Sequence, residues 1–113
     1  MNVKELTPPT TNRVKFSLQF QKFLPKSPGC YALSNIEGRV LYVGLTDNLF
    51  RRLGEHRSDR SKTDVTLEGR AVWFDFLVTP KNKINSIELA WLNQSFAQEG
   101  RFPLLNKKAS PID

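Results

Sequence analysis

Gly29-Cys30-Tyr31-Ala32-Leu33 and Leu41-Tyr42-Val43-Gly44 are two short β-prone stretches, and Asn48-Leu49-Phe50-Arg51-Arg52-Leu53-Gly54-Glu55-His56 follows them at once. Ser34-Asn35-Ile36-Glu37-Gly38 lies between the two stretches and carries turn chemistry, so residues 29–44 are predicted to form a β-hairpin. With the turn centred on Ile36-Glu37, residues whose numbers sum to 73 face one another, and Tyr31 stands opposite Tyr42. Directly opposed side chains share one sheet face within about 5 Å at Cβ, so two phenols would occupy one patch. A slip of one residue would separate them onto opposite faces.

Thr46 or Asp47 can cap the helix that follows. Leu49 and Leu53 turn one stripe to the core, and Asn48, Arg52 and His56, also spaced by four, form a second stripe beginning beside the tyrosines. Arg57, Arg60 and Lys62 continue the positive charge into a polar loop. Ala71 to Val78 is apolar on most of both faces and suits a central strand. A second helix runs from about Asn85 to Glu99, with Gly100 as its stop. Upstream, residues 13–25 alternate like a strand and then could close as a helical turn; the pattern leaves both open until Pro28 ends the segment. The predicted architecture is α+β: a small sandwich with a three-stranded antiparallel sheet flanked by helices. Residues 1–12 are expected as a loose N-terminal arm, 13–108 as a single domain and 109–113 as a polar tail.

At 113 residues the chain has room for one core. One cysteine and one histidine exclude an internal disulfide framework and a structural zinc site. No stretch approaches a membrane span and no secretory leader is visible, so a cytoplasmic protein with no membrane partner is expected. A net charge of +6 favours a polyanionic partner.

The order of these residues resembles the GIY-YIG nuclease family over roughly residues 28–106. The two name-giving tripeptides read here as Gly29-Cys30-Tyr31 and Tyr42-Val43-Gly44, with the tyrosines eleven apart and Arg52 ten beyond Tyr42. His56 matches a histidine of some branches. Glu88-Leu89-Ala90-Trp91-Leu92 is similar to the start of the metal-ligand helix in homing members, and Asn106 ends a Pro-x-x-Asn segment like the one that closes the site in many members.

The resemblance implies a divalent-metal-dependent endonuclease that hydrolyses phosphodiester bonds, with double-stranded or branched DNA as partner. Glu88 would hold one Mg²⁺ or Mn²⁺ ion and Arg52 would contact the scissile phosphate. Tyr31 or His56 would serve as base, Tyr42 would position phosphate and water, and Asn106 would hold the site together. Asn48, Arg51, Arg57, Arg60 and Lys62 would face nucleic acid, with Lys4, Arg13 and Lys15 of the arm as a clamp. No separate recognition domain is visible, so the chain would act on structure or loosely on sequence, form a homodimer, or borrow specificity from a partner protein. Two departures favour an alternative, a catalytically inactive nucleic-acid-binding module. Leu45 stands where the family often has Lys or Gln, a place Arg51 could fill, and Glu88 precedes Asn106 by 18 residues, so a shorter spacing would fall on Gln94.

Overall fold

The computed structural model describes residues 1–106, so the expected polar tail at 109–113 and the domain limit at 108 lie outside the described residues. The α+β sandwich is present with one strand more than the expected three. β1 (Asn12–Lys15), β2 (Gly29–Ser34), β3 (Val40–Thr46) and β4 (Trp73–Val78) form an antiparallel sheet in the order β1-β4-β2-β3. The ambiguous segment takes both of its readings in succession: β1 pairs with β4, and a 3-10 turn then spans Leu18–Phe23. β4 is central, as its two apolar faces require, with β1 on one side and β2 on the other.

Each face of the sheet buries its own core. Tyr31, Leu33, Phe74 and Phe76 pack with Leu49 and Leu53 of α1 (Leu49–Arg57) and with Phe16 and Leu24. On the opposite face, Cys30, Ala32, Val40 and Val43 pack with Ile84 and Trp91 of α3 (Ile84–Glu99). A short α2 (Arg60–Thr63) follows α1, and Gly100 ends α3 at φ 72°, a left-handed conformation that favours glycine.

Residues 1–12 are not a loose arm. Met1, Val3 and Leu6 are buried in the α3-side core, and Trp91 Nε1 donates to Pro8 O at 2.9 Å. Asn2 caps a short 3-10 turn over Val3–Glu5 in a reciprocal capping box with Glu5. The polar, proline-bearing composition hid three apolar side chains that fall on one side of this turn.

The hairpin register also differs from the symmetric expectation. Tyr31 pairs with Gly44 and Leu33 with Tyr42, a sum of 75, and the ladder shifts between Leu33 and Ser34. The displacement is two residues, so the side-chain alternation survives and both tyrosines still face α1.

Candidate active site

The site begins with the offset in the hairpin. Because Gly44, not Tyr42, stands across from Tyr31, the Tyr31 ring lies over the glycine: a Cβ at position 44 would sit 2.5 Å from Tyr31 Oη. The ring stacks on Phe74 at a centroid distance of 4.9 Å and an interplanar angle of 7°. Tyr31 is 1% exposed, and its hydroxyl reaches His56 Nε2 at 2.5 Å. His56 closes an aromatic cluster, with its ring 5.4 Å from that of Tyr31 and 5.3 Å from that of Tyr42. The two residues that the sequence offered as rival bases are therefore hydrogen-bonded to each other.

Burial sets the charge of this pair. It raises the Tyr31 phenol well above its ordinary value, and the nearby Tyr42 and Glu88 add to the rise while Arg52 opposes it. It lowers His56 to about 4, assisted by the positive charges of Lys62 and Arg52. At neutral pH the phenol holds its proton and the imidazole is neutral. The half-buried Tyr42 is also raised, chiefly by burial, with Glu88 contributing.

α1 places its residues by its cap. Asn48 caps the helix, its Oδ1 accepting from Arg51 N at 3.0 Å. Thr46 Oγ1 accepts from Asn48 N and supports the cap from the preceding strand. One turn on, Arg52 donates from Nη1 to Glu55 at 3.0 Å, while its Nε is buried without a hydrogen-bond partner among the described residues. That orphan donor is a place for an anionic oxygen.

The remaining cations separate by position. Arg51 is exposed and ion-paired with Asp47 at 2.6 Å and Glu55 at 3.2 Å. Arg57 lies over the Phe16 ring, 5.0 Å from its centroid, on another side of α1. Arg60 is exposed at the start of α2. Lys62 comes into the site instead: its Nζ lies 4.9 Å from the Tyr42 ring centroid, and the side chain is largely buried. Leu45 leaves no lysine in the tyrosine patch because it packs into the α3-side core, and the cation beside Tyr42 comes from α2. Of the expected clamp, Arg13 is engaged with Asp75 at 2.6 Å and lies over Trp73, whereas Lys4 and Lys15 are exposed.

Glu88 projects from α3, which packs the face opposite the tyrosines. Its helix is seated there by Cys30, whose Sγ donates to Ile84 O at 3.3 Å; burial pushes this thiol up to about 12, so it remains protonated and inert. Asn85 does not cap the helix with Glu88, since Lys83 occupies the N-cap without a side-chain bond. The Glu88 carboxyl is half-buried and raised by that burial alone, and no hydrogen bond or ion pair answers it among the described residues. Gln94 faces elsewhere: its Oε1 accepts from Thr7 N at 3.1 Å and its Nε2 donates to Glu5 O at 2.5 Å. Asn106 is held against β3, accepting from Val43 N at 2.8 Å and donating to Val43 O at 2.9 Å.

An unpartnered, half-buried carboxylate fits a hard divalent cation, which takes one or two carboxylates and completes its shell with water and phosphate oxygens. Among the described residues no group of three or more His, Cys, Asp or Glu gathers to hold a metal alone. Gly44 and Phe74, which fix the Tyr31 ring from two sides, were missing from the expected set. The pairing of Gly44 with Tyr31 could have been found only from the true hairpin register.

Residues 27–100 match the model of the GIY-YIG catalytic domain. UvrABC system protein C of Mycoplasma genitalium is 30% identical over 89 residues, covering 77% of this chain and 14% of the relative. The protein of the same name from Streptococcus pneumoniae is 35% identical over 72 residues, covering 63% of this chain and 11% of the relative. The chain thus spans a small part of the length of these relatives. Among solved structures, the GIY-YIG N-terminal endonuclease domain of UvrC from Thermotoga maritima shares the fold at a TM-score of 0.53 and 17% identity. That likeness covers 80% of this chain and 93% of the domain, a point mutant bound to its catalytic divalent cation.

Proposed function

We propose that this chain, which belongs to the GIY-YIG catalytic domain family, acts as an endonuclease that requires a divalent cation, Mg²⁺ or Mn²⁺, and cuts double-stranded or branched DNA. The observation that carries the reading is the neutral Tyr31–His56 pair at 2.5 Å, with the buried, unpartnered Nε of Arg52 on the same helix as His56.

Glu88 would hold the cation, which when bound supplies positive charge to the phosphate oxygens and the leaving oxygen. The orphan Nε of Arg52 donates to a non-bridging phosphate oxygen and opposes its growing charge. Tyr31 Oη receives a proton from the attacking water as it passes its own to His56 Nε2, so the phenol never has to exist as a free phenolate in a buried site. The low proton affinity of His56 keeps Nε2 open until that moment. Tyr42 and Lys62 flank the phosphate, and Asn106 fixes the β3 backbone beneath them.

Cleavage of supercoiled plasmid and of a branched duplex tests this directly. Cutting in Mg²⁺ or Mn²⁺ that EDTA, Glu88→Ala and Tyr31→Phe each abolish is the expected result. DNA binding without cutting under any of these metals would instead establish the inactive binding module.

A further inference from the structure

The candidate site opens into a cleft of about 810 Å³ that shares Tyr42, Lys62 and Asn106 with it. Val65, Leu67, Leu104 and Leu105 make its walls largely apolar, with Asp64 the one carboxylate among the lining residues. The wall that carries Leu67 is a tight two-residue turn. Thr66 and Gly69 exchange backbone hydrogen bonds at 3.0 Å, and Thr66 Oγ1 donates to Gly69 O and accepts from Glu68 N. The turn is fastened from below: Asn35 Nδ2 donates to Glu68 O at 2.7 Å, and the Glu68 carboxylate pairs with Arg39 at 2.9 Å and Arg101 at 3.2 Å. On this fixed base Leu67 is 101% exposed and Val65 is 65% exposed. The fold leaves the leucine side chain fully exposed while tying down the residues on either side of it, Thr66, Glu68 and Gly69.

An apolar side chain on a rigid turn beside a phosphate site has the shape of a wedge. Proteins that insert such a side chain between base steps partly unstack them. A displaced base needs a slot in which aromatic or apolar side chains lie against its faces. The cleft is within the size range of small-ligand sites. The positive charge of Lys62 at the Tyr42 end suits the phosphate attached to that base. We infer that Leu67 wedges into DNA beside the scissile phosphate and that the cleft receives the unstacked nucleobase. The inference rests on the endonuclease reading and extends it to substrate choice: unpaired or weakly stacked bases at branch points, flaps and mismatches are preferred over uninterrupted duplex.

The test uses the whole chain in EDTA, so that DNA is bound and not cut. 2-Aminopurine is placed at successive positions across a flap junction, with anisotropy of the same DNA recording binding. Wild type is expected to raise the fluorescence several-fold at one or two adjacent positions. Leu67→Ala should abolish the rise while binding changes less than about threefold, and Leu67→Phe should retain it. Melting curves check that the variants fold, as a fully exposed position allows. Binding with flat fluorescence at every position, or an equal rise in Leu67→Ala, overturns the wedge and leaves the nuclease standing. A cleft that takes a partner protein's apolar side chain instead would give that flat result. Failure to bind any of these DNAs removes both readings together.

Discussion

Gly44 stands across the β2–β3 ladder from Tyr31, and the phenol ring occupies the space that any side chain at position 44 would need. The glycine is thus part of how the tyrosine is aimed. Gly44→Ala would push a methyl group into Tyr31 Oη and Cζ, at 2.5 and 2.6 Å, and into Tyr42 Cε2 at 2.9 Å. The expected cost is about 1–3 kcal/mol of stability, as for other overpacked cores. Cleavage should fall at least ~100-fold, because displacement of a reacting group by about 1 Å has that effect. Denaturant melts and plasmid nicking by the same preparation check both halves.

Glu88 and Gln94 should separate cleanly when each is replaced by alanine. Glu88→Ala removes a half-buried carboxylate with no partner, so the melting temperature should hold or rise while Mn²⁺ binding, followed by calorimetry, disappears. Gln94→Ala removes both bonds to the Glu5–Thr7 segment. At about 0.5–1.5 kcal/mol per hydrogen bond, the loss of two should cost about 1–3 kcal/mol and leave Mn²⁺ affinity intact. Reversal of the two phenotypes would move the metal ligand to a different place on α3.

His56 gives stability a pH dependence of known sign. Its proton affinity falls from 6.5 to about 4 on folding, so between those values the unfolded chain binds more protons than the folded one. Stability is therefore full above pH 6.5 and is lost as pH falls toward 4, by an amount on the order of 2–3 kcal/mol. Glu99, lowered to about 2 first by its hydrogen bond with Arg39, contributes its loss only at more acid pH. Glu88, raised by burial, acts in the opposite sense. Unfolding free energies of wild type and His56→Gln from pH 7 to pH 4, in EDTA, should converge as the pH drops.

Lys62 and Arg51 should differ although both are cations. Arg51 is exposed and shared between Asp47 and Glu55, so Arg51→Ala should leave both stability and cleavage near wild type. Lys62→Ala removes the charge over the Tyr42 ring. Loss of one phosphate contact should lower the salt dependence of DNA binding by about one ion, read as the slope of log affinity against log salt. Equal slopes for wild type and Lys62→Ala would place its ammonium away from the phosphate.

Most of the site could be read from residue order because its parts come from local elements with strong signals. Leu49 and Leu53 fixed which side of α1 met the sheet, and His56 then had to arrive near the tyrosines. The hairpin register was less legible, since the ladder irregularity at Leu33/Ser34 depends on contacts made outside the turn. Met1 and Asn2 bond to Val40 and Glu37 around that turn, and nothing in a polar N-terminus announces such contacts. The fourth strand escaped for a related reason: β1 is four residues long with only Val14 half-buried, and its pairing to β4 is wholly non-local. Lys62 was visible as charge but not as a neighbour of Tyr42, because α2 is too short to show a periodicity.

The Asn106 amide has a consequence beyond the site. β3 is the last strand of the sheet, and its outer side would otherwise present a row of free amide and carbonyl groups to solvent. Met1 O takes the Val40 amide, Leu105 N takes the Leu41 carbonyl, and the two ends of the Asn106 side chain take both groups of Val43. A single carboxamide thus imitates the backbone of a missing neighbour, and segments from both ends of the described chain seal the border. Two copies cannot zip together along this stretch of β3 without first stripping these bonds away.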